Sequence, residues 1–368
     1  MTELSDPFPI KRIDHIEFYV GNAKQSAAYY RDGFGFLKTG YRGMETGDRE
    51  VASYVLEQGN IRFVVSAATV RDHSIAQHAH QQGDGVAVIA LEVPDAEYAY
   101  QFTTSRGAVG VAPLSEVKDE HGVLRYSSIQ GYGDTLFKFV DRSDYGGVFA
   151  PGYEPREVID GKRHSGIGLA AVDHIVGNVE LGSMNKWVKF FEEVMGFSLL
   201  VEFNDEDIST EYSALMSKVV QDGSGKIKFP INEPAEGQRK SQIQEYLDYY
   251  GGPGVQHIAI STGDIISTVS ELRQRGVEFL QVPQTYYDDL ADRVGSIRED
   301  VQRIAELNIL VDRDEEGYLL QIFTKPIEDI PTLFFEIIQR HGSRGFGIGN
   351  FKALFEAIEQ EQALRGNL

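Results

Sequence analysis

Asp173-His174-Ile175, in the run Val172-Asp-His-Ile-Val-Gly-Asn178, repeats Asp14-His15-Ile16 after an interval of 159 residues. Both copies sit in apolar-rich runs of strand character, and both are followed by Gly-Asn, at Gly21-Asn22 and Gly177-Asn178. A stretch of helical pattern comes next, with the aromatic pair Tyr29-Tyr30 in one copy and Phe190-Phe191 in the other. Each such stretch runs out at a Gly-Phe, Gly35-Phe36 and Gly196-Phe197, where glycine suits a helix C-terminus. A second pairing lies inside the halves: Gly85-Val-Ala-Val-Ile-Ala90 resembles Gly254-Val-Gln-His-Ile-Ala259. Both lead into helical segments, 96–106 and 265–275, closed by the Arg-Gly turns Arg106-Gly107 and Arg275-Gly276. Four related units are expected, each a strand, a helix and then several strands.

Between the halves lie Phe149-Ala-Pro-Gly-Tyr-Glu-Pro-Arg156 and Asp160-Gly-Lys-Arg-His-Ser-Gly166. Prolines and glycines with little periodicity mark a linker. The expected division is an N-terminal domain at 10–150 and a C-terminal domain at 168–368.

The chain of 368 residues is long enough for two cores, and 42% hydrophobic with 25% charged residues is a globular balance. A formal charge of -21 repels phosphate backbones and anionic lipid, so neither nucleic acid nor a membrane surface is an expected partner. A small anionic substrate stays open, because local groups set a site. No cysteine is present, which excludes disulfides, thiolate catalysis and cysteine-ligated metal sites and suits a reducing cytoplasm. The start, Met1-Thr-Glu-Leu-Ser-Asp-Pro-Phe-Pro9, is acidic and broken by proline, unlike a secretory signal. Apolar stretches such as 85–91 fall far short of the ~20 residues that span a bilayer. A soluble, cytoplasmic protein is expected.

Strand parity singles out three residues that carry ligand chemistry. Alternate side chains of a strand share a face. On that rule Val172, His174 and Val176 share one face, Val255, His257 and Ala259 another, and Glu336 joins Phe334 and Ile338 in Leu333-Phe-Phe-Glu-Ile-Ile338. A carboxylate in so apolar a strand is costly to bury unless a cation or hydrogen-bond donor meets it. Two histidines and one carboxylate on a concave face suit a divalent metal with open positions. The bland alternative is three separately satisfied residues. The repeat acts as an internal control: the first half keeps His15, has Val88 where His257 stands, and offers no apolar strand with a carboxylate matching Glu336. One metal site is expected, in the second half.

Weaker signals read structurally. His73, His78 and His80 suggest a solvated helix face. Asp312-Arg-Asp-Glu-Glu-Gly317 begins like a calcium loop but has Phe323 at its twelfth position, so a charged hairpin turn is expected. Gly345-Phe-Gly-Ile-Gly-Asn350 lacks the spacing of a phosphate or dinucleotide loop and reads as a flexible loop with Asn350 as the N-cap of a last helix. That helix groups Phe351, Leu354, Phe355 and Ile358 on one face, either docked on the core or closing a pocket.

Several blocks together resemble the 4-hydroxyphenylpyruvate dioxygenase family: Asp173-His-Ile-Val-Gly-Asn-Val179, Glu211-Tyr-Ser-Ala-Leu215, Phe229-Pro-Ile-Asn-Glu-Pro234, Lys240-Ser-Gln-Ile-Gln-Glu-Tyr246, Gly254-Val-Gln-His-Ile-Ala259, Gly317-Tyr-Leu-Leu-Gln-Ile-Phe-Thr-Lys-Pro326, Phe335-Glu-Ile-Ile338 and Gly349-Asn-Phe-Lys-Ala-Leu-Phe-Glu-Ala357. The match is dense in the second half and looser in the first. The resemblance implies an α+β, vicinal-oxygen-chelate fold: paired βαβββ modules forming a half-open barrel in each domain, with a C-terminal helix over the active site. It puts Fe(II) on His174, His257 and Glu336, and substrate-pocket polar groups on Ser217, Asn232, Gln242 and Gln321. It puts an aromatic wall on Phe323, Phe334 and Phe351. Gln256 also matches the family motif, but parity points it away from His257.

The resemblance further implies oxidative decarboxylation and ring hydroxylation of 4-hydroxyphenylpyruvate with O2 to homogentisate, a step of tyrosine and phenylalanine catabolism. A homo-oligomer, dimer or tetramer, is expected with it. Three rivals remain: 4-hydroxymandelate synthase, which oxidises the benzylic carbon of the same substrate; an extradiol ring-cleaving dioxygenase; and a non-catalytic binding protein on the same fold. The block Phe323-Thr-Lys-Pro326 looks more like the homogentisate branch.

Overall fold

The computed structural model describes residues 6–156, 166–204, 214–235, 237 and 239–367. Asp160–Ser165 of the expected linker and Glu211–Ser213 of one matching block lie outside the described residues.

The first half supplies strands β1 (Arg12–Tyr19), β2 (Leu37–Arg42), β3 (Val51–Gln58), β4 (Ile61–Ala68), β5 (Gly85–Glu92), β6 (Gly110–Asp119), β7 (Gly122–Gln130), β8 (Leu136–Asp141) and the two-residue β9 (Glu154–Pro155), with helices α1 (Ala23–Phe34), α2 (Ser74–Gln82) and α3 (Ala96–Thr104). The second half supplies β10 (Leu169–Asn178), β11 (Ser198–Phe203), β12 (Leu215–Gln221), β13 (Lys228–Pro234), β14 (Gly254–Thr262), β15 (Leu310–Arg313), β16 (Tyr318–Phe323) and β17 (Phe334–His341). Its helices are α4 (Met184–Glu193), α5 (Gln242–Tyr250), α6 (Ile265–Gln274), the short α7 (Leu290–Val294) and α8 (Val301–Glu306), and α9 (Phe351–Arg365). The four expected units are present as strand, helix, three strands. They start at β1, β5, β10 and β14.

Each half curls into one open barrel. The strand orders are β6-β7-β8-β5-β1-β4-β3-β2-β9 and β11-β12-β13-β10-β14-β17-β16-β15. In both, the first strands of two units pair antiparallel at the centre, β1 with β5 and β10 with β14. The last strand of a unit then runs parallel to its first, β8 beside β5 and β17 beside β14. Helix ends follow the sequence signals. Asn22 Oδ1 accepts from the Gln25 N–H at 3.1 Å at the start of α1, and Gly35 ends it in the left-handed region at φ 73°.

Alternation along β17 ties the halves together. Phe335 and Ile337 face the core shared by both halves, whereas Phe334 and Glu336 face the barrel interior. Phe335 is fully buried, and its ring packs against Phe34 at 5.0 Å, Phe63 at 5.9 Å and Tyr30 at 6.1 Å, all from the first half. Phe137 reaches the other way, to Phe191 at 5.5 Å and Phe229 at 5.7 Å. The strand that presents Glu336 to the site is thus held from behind by the other half. Phe335→Ala should cost about 3–5 kcal/mol, read as a lower denaturation midpoint in guanidinium.

Candidate metal centre

A β-bulge precedes each histidine. In the β10–β14 ladder Val172 faces Ile260 and His174 faces Ala259, so Asp173 is the extra residue. Further along, Val176 faces His257 and Gly177 faces Val255, so Gln256 is extra on the partner strand. A bulge sets two residues against one and breaks alternation. Val172 and Val255 therefore turn to the shared core, not to the face of their histidines as plain parity predicts. The extra residue instead curls beside its histidine. His174 Nδ1–H donates to Asp173 Oδ1 at 2.8 Å, and His257 Nδ1–H to Gln256 Oε1 at 3.0 Å. Each pairing leaves Nε2 free as the donor atom for a metal.

Glu336 completes the group from the adjacent strand, where it stands opposite Ala259. Its Oε2 lies 3.1 Å from His174 Nε2 and 3.5 Å from His257 Nε2. All three donor atoms lie within 4.8 Å of one another. Burial alone would raise the Glu336 pKa, but the charge and hydrogen bonds of the two histidines outweigh it and lower it to about 2. Burial also acts against a charged His174, yet Glu336 and Asp173 hold its pKa above the ordinary value. His257 has a neutral amide where His174 has a carboxylate, and burial keeps its pKa low.

This donor set fits a first-row divalent metal. Two donors about 2.1 Å from an ion and at right angles lie about 3 Å apart, close to the separations of Glu336 from both histidines. Glu336 and His174 are each about 3% exposed and His257 9%, so a cation there is shielded from water and answers the cost of burying the carboxylate. Among the described residues this is the one such group.

A cavity adjoins the three donors. Its walls include Ser217, Asn232, Gln242, Phe323, Phe334 and Phe351 of the expected set, and α9 roofs it with Leu354, Phe355 and Ile358. Phe334 stacks on His257 at 4.8 Å and 20°. Ser217 and Asn232 face each other across β12 and β13. Gln321 does not line the cavity. It sits beneath Gly347, where a Cβ would fall 2.5 Å from its Nε2, and neither amide atom finds a partner among the described residues. Gln256, which parity turned away, does line the cavity. The sign that finds it is the bulge, which no sequence pattern announces. The far end of α9 is tied down by Arg365 Nη2 to Glu245 Oε2 at 2.8 Å and Lys325 Nζ to Glu361 Oε1 at 2.9 Å.

The first half shows the same frame without the donors. The register that sets His257 beside Phe334 sets Val88 beside Leu136, so Lys138 occupies the place of Glu336. Lys138 is half-buried; desolvation lowers its pKa against the opposing pull of Glu17 and Asp14. An ammonium where the carboxylate should be excludes a cation.

Other expectations fare variously. Asp312–Gly317 ends β15 and turns into β16 at Asp314–Gly317, the expected charged hairpin turn. His78 is buried rather than solvated, between the rings of Tyr19 at 5.4 Å and Tyr250 at 6.2 Å. Asn350 flanks α9 without a side-chain cap; its Oδ1 accepts from Tyr286 Oη at 2.6 Å.

Comparison with known proteins agrees with this architecture. Residues 4–151 match the family model described as hydroxyphenylpyruvate dioxygenase, N-terminal, and residues 171–322 match that of the glyoxalase/bleomycin resistance protein/dioxygenase superfamily. The 4-hydroxyphenylpyruvate dioxygenase of Dictyostelium discoideum is 47% identical over 96% of this chain and 99% of its own length. That of Caenorhabditis elegans is 46% identical over 96% and 93%. Among solved structures, a triple mutant of 4-hydroxymandelate synthase from Streptomyces coelicolor superposes with a TM-score of 0.85 at 30% identity, covering 96% of this chain and 99% of that one.

Two measurements follow from the geometry. Gln256→Leu should lower divalent-metal affinity by about 10-fold or more, read by isothermal titration. The folded pKa of Glu336 is depressed, so in metal-free protein its contribution is present above about pH 4.5 and is lost as pH falls towards about 2. Glu336→Gln should flatten that part of the stability profile, read as the difference in Tm between variant and parent from pH 5 to 2.

Proposed function

The chain belongs to the 4-hydroxyphenylpyruvate dioxygenase family, and we propose that it converts 4-hydroxyphenylpyruvate and O2 to homogentisate and CO2 at an Fe(II) held by His174, His257 and Glu336. The observation that carries this reading is the convergence of three donors on one wall of a mostly apolar cavity, within 4.8 Å of one another. When bound, Fe(II) supplies what no side chain here can, contact with both the 2-oxo acid and O2 and electron transfer between them.

The protein's own groups bind, orient and seal. Asp173 and Gln256 accept from Nδ1–H of the two histidines, so that each would present Nε2 to the metal. Ser217, Asn232 and Gln242 offer a hydroxyl and two amides to the oxygens of the substrate, and the unpartnered amide of Gln321 stands behind the loop at Gly347. Phe323, Phe334 and Phe351 form ring-sized walls that hold an aryl group and keep water out. α9 roofs the cavity, where a shift of the helix would widen or narrow the way in.

On this reading residues 10–150 form a domain without catalytic metal, which Val88 and Lys138 support, and residues 168–368 form the catalytic domain. A cytoplasmic location suits a chain without cysteine. No helix among the described residues is long and apolar enough to cross a membrane. Assembly as a dimer or tetramer is checked by light scattering.

The curated relatives at 46–47% identity favour homogentisate as product over the benzylic oxidation of the 30% identical synthase. The test is anaerobic loading with Fe(II), addition of substrate and O2, and product identification by mass spectrometry. Homogentisate with one CO2 per O2 is expected, and His257→Ala should reduce turnover by at least about 100-fold. 4-Hydroxymandelate would reassign the product, and neither compound from iron-loaded protein would overturn the proposal.

A further inference from the structure

Four side chains form a closed ring in the second half. Arg340, near the end of β17, donates from Nε to Asp173 Oδ2 and from Nη2 to Asp173 Oδ1, both at 2.8 Å. Its Nη1 donates to the carbonyl of Gly345 at 2.6 Å and to that of Ser343 at 3.4 Å. Asp173 accepts from His174 Nδ1–H. Phe346, carried by the same loop, packs edge-on to His174 at 5.2 Å and 71°, with the Arg340 guanidinium 5.7 Å from its centroid. The loop leads through a single 3-10 turn, Ile348–Asn350, into α9, and Phe346 lines the cavity.

The first half repeats the ring without a metal. Arg142 donates from Nη2 to Asp14 at 2.8 Å and from Nη1 to the Phe149 carbonyl, Asp14 pairs with His15 Nδ1 at 2.6 Å, and Phe149 packs edge-on to His15 at 5.0 Å and 82°. The ring is thus a unit of the fold that exists independently of any ligand. What differs is what it holds. In the first half its aromatic packs in an apolar cluster with Val55 and Val64; in the second, its histidine is one of the three donors and its loop is the approach to the roof of the cavity.

We propose that Arg340 is a positioning residue that couples the aim of His174 to the seating of loop 342–347 and α9, so that metal binding and closure of the cavity favour each other. The bidentate grip on Asp173 sets the carboxylate that sets the imidazole. The third nitrogen of the same planar guanidinium grips the loop. A shift of the loop therefore shifts the ligand, and the coupling runs equally in both directions. The proposal rests on the metal reading of the preceding subsection.

Arg142 is the matched control, since it makes the same ring where no donor set exists. Arg340→Lys keeps the charge but cannot hold Asp173 bidentately and the loop at once. A second variant, Asp173→Asn with Arg340→Met, leaves no buried charge unpaired and covers the case in which Arg340→Lys fails to fold. Co(II) alone serves as probe, with affinity from titration calorimetry and roof mobility from hydrogen exchange of residues 351–365. Parent protein should bind Co(II) and gain exchange protection in α9. Both Arg340 variants should lose about 10- to 100-fold in affinity and most of that protection, while Arg142→Lys stays within twofold on both despite a lower Tm. Unchanged Co(II) affinity in the Arg340 variants, or an equal loss in Arg142→Lys, overturns the proposal. Lost affinity with α9 still fully protected by Co(II) overturns the coupling. Failure of the parent itself to bind Co(II) overturns the metal reading, and is seen before any variant is made.

Discussion

The β-bulge before each histidine is the constraint on which the rest of the site depends. A histidine can offer Nε2 to a metal in a fixed direction only if something holds Nδ1–H. On a regular strand the preceding residue points to the opposite face. The extra residue at Asp173 and at Gln256 removes that obstacle, so ligand and orienting group are adjacent in sequence and on one side of the sheet. The same bulges occur at Asp14 and Ala87 in the first half. At Ala87 there is no histidine to orient, and Ala87 and Val88 both join the apolar interior of the barrel while Val86 turns to the shared core. The bulge is therefore older in the logic of the fold than the chemistry: it belongs to the frame, and the second half uses it.

Seen this way, the duplicated halves are one scaffold with two fillings. In the second, two imidazoles and one carboxylate face an apolar cavity. In the first, the carboxylate position is Lys138, the His257 position is Val88, and Ser53 and Ser66 bond each other at 2.7 Å where Ser217 and Asn232 face the cavity. Ser66 also donates to Glu17 at 2.7 Å, and Glu17 supports the charge of the half-buried Lys138. One reversal of sign abolishes a cation site more thoroughly than loss of a ligand, because an unpaired like charge at contact costs more than a missing bond.

The repeat, the four units and the three donors were legible because they are written in residue identity and interval. His174 and Glu336 stand out as polar residues in apolar strands, and parity holds along β17, which has no bulge. Parity fails for Val172, Val255 and Gln256 because a bulge inserts one residue without any compositional mark. His78 misleads for a related reason: its helix looks polar in sequence, yet two tyrosines from distant elements cover it. Arg340 was invisible as well. Its partners are a carboxylate 167 residues away and the carbonyls of a glycine loop, and backbone acceptors leave no trace in side-chain patterns.

The charge balance of the site explains how so acidic a chain can accept an anionic substrate. Asp173 carries a full negative charge, since burial against it is outweighed by Arg340 and His174, which hold its pKa well below the usual range. Arg340 cancels that charge locally, so it does not add to the site. Of the donors, only Glu336 is anionic. A divalent cation among two neutral imidazoles and one carboxylate leaves a single net positive charge in a shielded, mostly apolar cavity, where Coulomb interactions are strong. A monoanionic oxo acid meets that charge, whereas the surface total of -21 acts through screened solvent. Replacing the neutral Gln256 by a second uncompensated carboxylate would erase this surplus. The asymmetry between the two histidines, one backed by a neutralised carboxylate and the other by an amide, is therefore what keeps the site cationic once the metal is bound.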